Sequence, residues 1–185
     1  MKIKAALLIW TLVLCACSPA IITPQTPPTQ NSSITPSALP ETNSTTDQCA
    51  FSWANSPLEE LSDVLDVEVK TLNSAASARA SAFGEDCIYS DGHKVFHAIE
   101  TDFYIDLPVA DLIDFDSFGN WVAQTMSLVN ALSLDKLEGP HTGFVEYSFT
   151  KNQTEHLVVR VPIQTYNETA NGKTGDELFR LFYTE

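Results

Sequence analysis

The chain has 185 residues and carries 24 acidic against 10 basic side chains, a formal charge of −14 at pH 7. That balance excludes nucleic acid as a partner, since phosphates call for Lys and Arg clusters that this sequence lacks, and it excludes flat adsorption onto anionic lipid. With 44% hydrophobic residues, there is still enough apolar material for one real core.

The chain opens with Lys2 and Lys4, followed by an apolar run over 5–14. At about ten residues this run is half of the roughly twenty that a membrane-crossing helix needs, so it reads as an export signal. It ends in Leu14-Cys15-Ala16-Cys17, an aliphatic residue, two small ones and a cysteine. These four residues resemble the lipobox of bacterial lipoproteins. The resemblance implies that Cys17 takes a diacylglyceryl thioether, that residues 1–16 are removed, and that the freed amine is acylated in turn. Lys2 and Lys4 leave with the signal, so the formal charge moves from −14 to −16. Attachment then comes from the acyl chains alone, each buried methylene contributing about 0.8 kcal/mol. The expected location is the cell membrane or outer membrane, with the rest of the protein facing the periplasm or the exterior. Ser18 stands where an aspartate commonly retains lipoproteins at the inner membrane, which favours the outward destination. The alternative is an ordinary secretory signal with a chance cysteine, or an uncleaved anchor.

Residues 17–47 form the next unit. From Ser18 to Asp47 there is no Gly, and 18 of 30 residues are Pro, Ser or Thr. Such a segment cannot bury enough apolar surface to offset its chain entropy, and its six prolines favour extended conformers. It reads as a disordered tether between the lipid and the domain.

Residues 48–185 read as a single α+β domain. Its two cysteines, Cys49 and Cys87, lie in a chain destined for an oxidising compartment, and one pair allows one connectivity. A bridge closing a loop of roughly 40 residues stabilises by about 3 to 4 kcal/mol on the chain-entropy model. A redox or metal-ligand role for the pair lacks the C-x-x-C spacing and a nearby His.

The first helix is expected over 57–72. Ser56-Pro57-Leu58-Glu59 has the form of a capping box with Pro at the first helical position, and Leu58, Leu61, Leu65, Val69 and Leu72 follow at helical spacing. The Ala/Ser-rich stretch 75–82 is read as the start of a strand that runs on through Cys87-Ile88-Tyr89 into a Ser90-Asp91-Gly92 turn. A strand over 95–107 comes next, with His97, Ile99, Thr101, Phe103, Ile105 and Leu107 on one side and Glu100, Asp102, Tyr104 and Asp106 on the other. The first side is expected to be core and the second a solvated acidic face.

A second helix is expected over 117–132, with Phe118, Trp121, Val122, Thr125, Leu128, Val129 and Leu132 inward. Gly139-Pro140 breaks the chain. Strands over 143–150 and 156–166 follow, the latter with Leu157, Val159, Val161 and Ile163 inward. Thr174-Gly175-Asp176-Glu177 is a second capping box, opening a short helix with Leu178, Leu181 and Phe182. The order α-β-β-α-β-β-α implies a two-layer α+β fold, a four-stranded, mainly antiparallel sheet with helices on one face.

The densest carboxylate cluster is Glu100, Asp102, Asp106, Asp111, Asp114 and Asp116. Asp114-Phe115-Asp116 begins like a calcium loop but lacks an oxygen ligand at Phe118 and a bidentate acid at Thr125, so Asp114 and Asp116 read as complements of a helix N-terminus. Glu100 and Asp102 have the residue types of a general acid and base pair, but adjacent positions on a flat sheet offer no cleft. His93, His97, His141 and His156 show no zinc spacing. There is no nucleophile elbow, P-loop or dinucleotide fingerprint. No catalytic, metal or cofactor site is therefore expected. Trp53 and Trp121 are taken as core, and Phe51 and Trp53 otherwise as a small exposed patch.

The segments Gly84-Glu85-Asp86-Cys87 and Glu100-Thr101-Asp102-Phe103-Tyr104 resemble recurring pieces of exported lipoproteins in which a Thr/Pro/Ser-rich tether precedes one small α+β domain. That resemblance brings no activity with it. The expectation is a non-catalytic, lipid-tethered module that binds an envelope protein or small ligand through Glu100, Asp102, Tyr104 and Asp106. The alternative is an envelope hydrolase using acids between Glu100 and Asp116.

Overall fold

Gln48 to Thr184 are the residues described by the computed structural model. The expected export signal, the expected lipobox with Cys17 and the expected tether lie outside them. Five strands, β1 (Ala50–Pro57), β2 (Ser77–Ile88), β3 (Lys94–Pro108), β4 (His141–Thr150) and β5 (His156–Pro162), form one sheet in the order β1-β2-β3-β4-β5. Helices α1 (Glu59–Leu72), α2 (Phe115–Asn130) and α4 (Gly175–Phe182) contribute to one core with it. A short α3 (Ile163–Thr165) runs into a π-helical turn, Tyr166–Ala170. The fold is α+β, but the sheet has five strands and is mixed.

The unexpected strand is β1. The expected capping box does not form: Ser56 and Pro57 remain in β1, paired with Ala82 and Ser81. The Leu58 N–H still donates to Ala80 O at 3.1 Å, so the chain cannot turn into a helix before Glu59. Ser62 on the first turn of α1 then joins helix to strand, donating to Leu58 O at 2.7 Å and accepting from the Ala80 N–H at 2.9 Å. Pro57, which has no N–H to donate, sits at the end of an edge strand, where proline is tolerated.

Strands β3 and β4 pair in parallel. They are joined through α2, and a crossover returns the chain to the end it started from, which a hairpin cannot do. The other three pairings are antiparallel. Cys49, just ahead of β1, is disulfide-bonded to Cys87 of β2, which ties the edge strand to its neighbour.

The core lies between the sheet and its three helices. Leu61, Leu65 and Val69 of α1 meet Ala80 and Ala82 of β2, small residues that let the helix approach. Phe118, Val122 and Met126 of α2 and Phe179 of α4 pack on Phe103, Ile105, Tyr147 and Phe149, with Phe118 stacked on Phe149 at 4.1 Å between ring centroids. Thr125 Oγ1 and the Tyr147 hydroxyl share a buried hydrogen bond of 2.9 Å. That contact satisfies two groups whose isolation would be costly, and burial pushes the Tyr147 phenol above its ordinary range.

Helix starts follow local chemistry only in part. Asp114 caps α2 as expected, its carboxylate accepting from the Ser117 N–H at 3.2 Å and the Ser117 hydroxyl at 2.7 Å. Thr174 stands at the N-cap of α4 but makes no side-chain cap. Instead α2 supplies the acceptors: Asn120 Oδ1 takes the Gly175 N–H at 3.1 Å and Asp116 Oδ1 the Asp176 N–H at 3.4 Å. Within α4 the inward residues are Leu178 and Phe179, whereas Leu181 is exposed. Strand β5 ends at Pro162, four residues before its expected end, because the chain coils at Ile163.

Candidate functional site

All three long helices lie on the Phe103 side of the sheet, and no described element covers the other side. That open face carries a row of side chains running across four strands. Arg79 of β2 places its guanidinium carbon 3.7 Å from the Tyr104 ring centroid on β3. Tyr104 meets Phe144 of β4 edge to face, centroids 6.0 Å apart. Arg160 of β5 lies over Phe144 at 4.6 Å and its Nε donates to Glu146 Oε2 at 2.7 Å. Each cation on an exposed ring contributes about 0.5–1 kcal/mol, so the row is held in place without being sealed. The Arg160 guanidinium is held above its ordinary range by the hydrogen bond to Glu146, and burial raises the Tyr104 phenol.

Beneath this row lies Asp102. It belongs to the outer face as the alternation requires, but it is not solvated: only 3% of it is exposed. The cause is a β-bulge. Thr101 pairs with Thr142 and Phe103 with Val145, so Asp102 faces both Gly143 and Phe144. Its Oδ1 accepts from the Phe144 N–H at 3.2 Å. Gly143 makes the arrangement possible, since a Cβ there would overlap Asp102 Oδ1 and stand 2.8 Å from the Glu100 carboxyl carbon. The two carboxylates therefore flank one glycine. Burial raises the Asp102 carboxyl to about 6; the Phe144 N–H opposes the rise, and the nearby Glu100 charge adds to it.

The remaining expected site residues divide. Glu100 is half-buried and lines a cleft, Tyr104 is half-buried in the Arg and aromatic row, and Asp106 is exposed on the open face. Asp111, Asp114 and Asp116 do not join them. Asp111 accepts from the Ile113 N–H in the loop, while Asp114 and Asp116 serve helix starts. Among the described residues, no three His, Cys, Asp or Glu side chains are placed to share a metal ion.

A second bulge corrects the reading of His97 as inward. Phe83 pairs with Glu100 but Gly84 with Ala98, so Ile99 is an extra residue and the alternation slips by one. His97 then shares the outer side with Glu100 and is exposed. Trp121 is buried as expected, and its Nε1 has no partner among the described residues. Trp53 is not core: it is 66% exposed and stacks on Phe83, with Phe51 beside it on β1 at 69% exposed.

The residues that sequence reasoning missed are Arg79, Phe144, Glu146 and Arg160. A signal existed for one of them: Arg160 occupies an outward position of the strand on which Leu157, Val159, Val161 and Ile163 alternate inward, whereas the alternation that would place Glu146 was not read for 143–150. Phe144 lies at the bulge, and Arg79 in a stretch whose alanines carried no contrast.

The cleft lies at the beginning of β4. Glu100, His141 and Thr142 line it, with Leu134, Leu137, Gly139 and Pro140 as one wall and Gln164, Asn167 and Glu168 as the other; its volume is about 790 Å³. The first wall is fastened to β3 by Thr101, whose hydroxyl donates to Glu138 O at 2.7 Å and accepts from the Glu138 N–H at 3.0 Å. Comparison with known proteins adds nothing to this geometry: no protein-family model, curated protein or solved structure matches the chain.

Proposed function

We propose that this protein is a lipid-anchored, non-catalytic binding module of the cell envelope that engages a protein or small ligand through the open face of its sheet. One observation carries the reading: the helices occupy one side of the sheet, leaving the Arg79, Tyr104, Phe144 and Arg160 row uncovered on the other among the described residues. Aromatic and Arg side chains are the types enriched at the centres of binding surfaces, the rings burying large rigid area and the guanidinium supplying several hydrogen-bond donors. Glu100, Asp102, Tyr104 and Asp106 stay within the proposed surface, with Asp102 as its buried support rather than a contact. The lipid at Cys17 supplies the location.

A photo-crosslinking residue placed at Asp106 or Val158, both exposed on this face, tests the reading in intact cells. Discrete adducts are expected from these two sites and none from Val67, which is exposed on α1. Equal labelling from all three, or none from any, would count against a sheet-face site.

A hydrolase reading has one observation in its favour, the Asp102 carboxyl held at about 6 beside Glu100. Against it, Asp102 is shut away from solvent and does not line the cleft. Turnover of chromogenic esters or glycosides that is lost in Asp102→Asn would make this the better account.

A further inference from the structure

The cleft at the start of β4 is open to solvent and carries an unbalanced charge. Glu100 and Glu168 both line it, no Lys or Arg does, and neither carboxylate forms an ion pair among the described residues. Its volume of about 790 Å³ falls in the range of about 300–1,000 Å³ typical of small-molecule sites. The two carboxylates come from separate parts of the fold, Glu100 from the sheet and Glu168 from the π-helical turn, where π segments often mark functional sites. They do not converge with a third ligand into a metal site. The lining also holds apolar side chains. Leu134 is 81% exposed, and Leu137 stands with it on the wall that Thr101 fastens to β3. An exposed leucine on a fixed wall is an unused contact for methylene groups.

We infer that this cleft binds a linear alkyl diamine or polyamine, its ammonium groups taken by Glu100 and Glu168 and its methylenes laid against Leu134 and Leu137. A bare cation would leave the leucines unused and find no ligand set. A neutral molecule would leave the two carboxylates unpaired. Gln164 supports the site, since its amide donates to Glu168 Oε1 at 2.8 Å and so holds that carboxylate against the wall. The inference goes beyond the sheet-face reading: it shares Glu100 with that surface, but the rest of the site lies at the end of the sheet, and its test does not touch the Arg and aromatic row.

Calorimetry on the full-length exported protein with 1,5-diaminopentane and spermidine as probes tests it, with 1,5-pentanediol as the neutral counterpart. Saturable 1:1 binding of at least one amine is expected, with none of the diol. Glu100→Gln and Glu168→Gln should each weaken binding roughly tenfold or more, the loss expected for one charge-assisted hydrogen bond. Asp63→Asn, on the exposed surface of α1, should leave it unchanged and so serves as the control for general attraction to an acidic chain. Glu168 is exposed and outside the core, so its variant keeps the test valid if Glu100→Gln fails to fold. Absence of saturable binding at millimolar amine would overturn the inference. So would a loss in Asp63→Asn equal to that in Glu168→Gln.

Discussion

A carboxylate that is 3% exposed is costly to ionise, and Asp102 makes that cost measurable. Its folded-state value of about 6 lies above the ordinary 3.8, so the folded protein holds this proton more tightly than the unfolded chain. The resulting stabilisation is complete below about pH 3.8 and is lost as the pH rises through 6. Asn has the same shape, keeps an acceptor for the Phe144 N–H and carries no charge. Asp102→Asn should therefore gain on the parent protein as pH rises, from near equality at pH 4 to about 2–3 kcal/mol above pH 7. Urea unfolding at a series of pH values reads this directly, and a difference independent of pH would show that Asp102 does not titrate there. The alternation of 95–107 placed Asp102 on the correct side of the strand. Its burial was not legible, because it depends on Phe144, Glu146 and Arg160, residues more than forty positions away whose register is set by a bulge.

At the scale of elements, strands were harder to read than helices. Segment 50–57 has no clean apolar alternation, since as an edge strand on an open face it has little to bury, and its Ser56-Pro57 end imitates a helix start. Only pairing with β2 reveals it as a strand. The Cys49–Cys87 disulfide makes that pairing testable. It spans 38 positions and encloses β1, α1 and most of β2, a loop whose cross-linking is worth about 3–4 kcal/mol. Replacing both cysteines with Ala should lower stability by about 2–5 kcal/mol. Hydrogen exchange should show β1 amides losing protection before those of β3 and β4, because the edge strand has one pairing neighbour and central strands have two. Uniform loss of protection would mean that β1 does not open separately. Helices α2 and α4 show the opposite limit. The start of α4 was legible from Thr174-Gly175-Asp176-Glu177 and that of α2, to within two residues, from the acids at 114 and 116, but the groups that cap α4 lie on α2, and they meet because Gly119 lies against the backbone of Gly175.

For the molecule as a whole, the acidity of the chain and its N-terminal segment lead to a prediction about place. A domain with this charge is repelled by anionic lipid, so membrane association should depend on acylation alone. Cys17→Ser should move the protein to the soluble fraction of fractionated cells, and full retention on membranes would refute lipid anchoring. Other properties required the tertiary structure. The sequence by itself determined the α+β class, the approximate positions of α1, α2 and α4, the disulfide partners and the side of β3 on which its acids fall, because helical and strand periodicities and a single cysteine pair are local or combinatorial facts. The tertiary structure alone decided that β1 exists, that β3 and β4 run parallel, that Trp53 is exposed while Asp102 is buried, and that Glu100 and Glu168 share a cleft. Each of these depends on which strand lies beside which and where the register slips, and those contacts join residues too far apart in sequence for any local pattern to record.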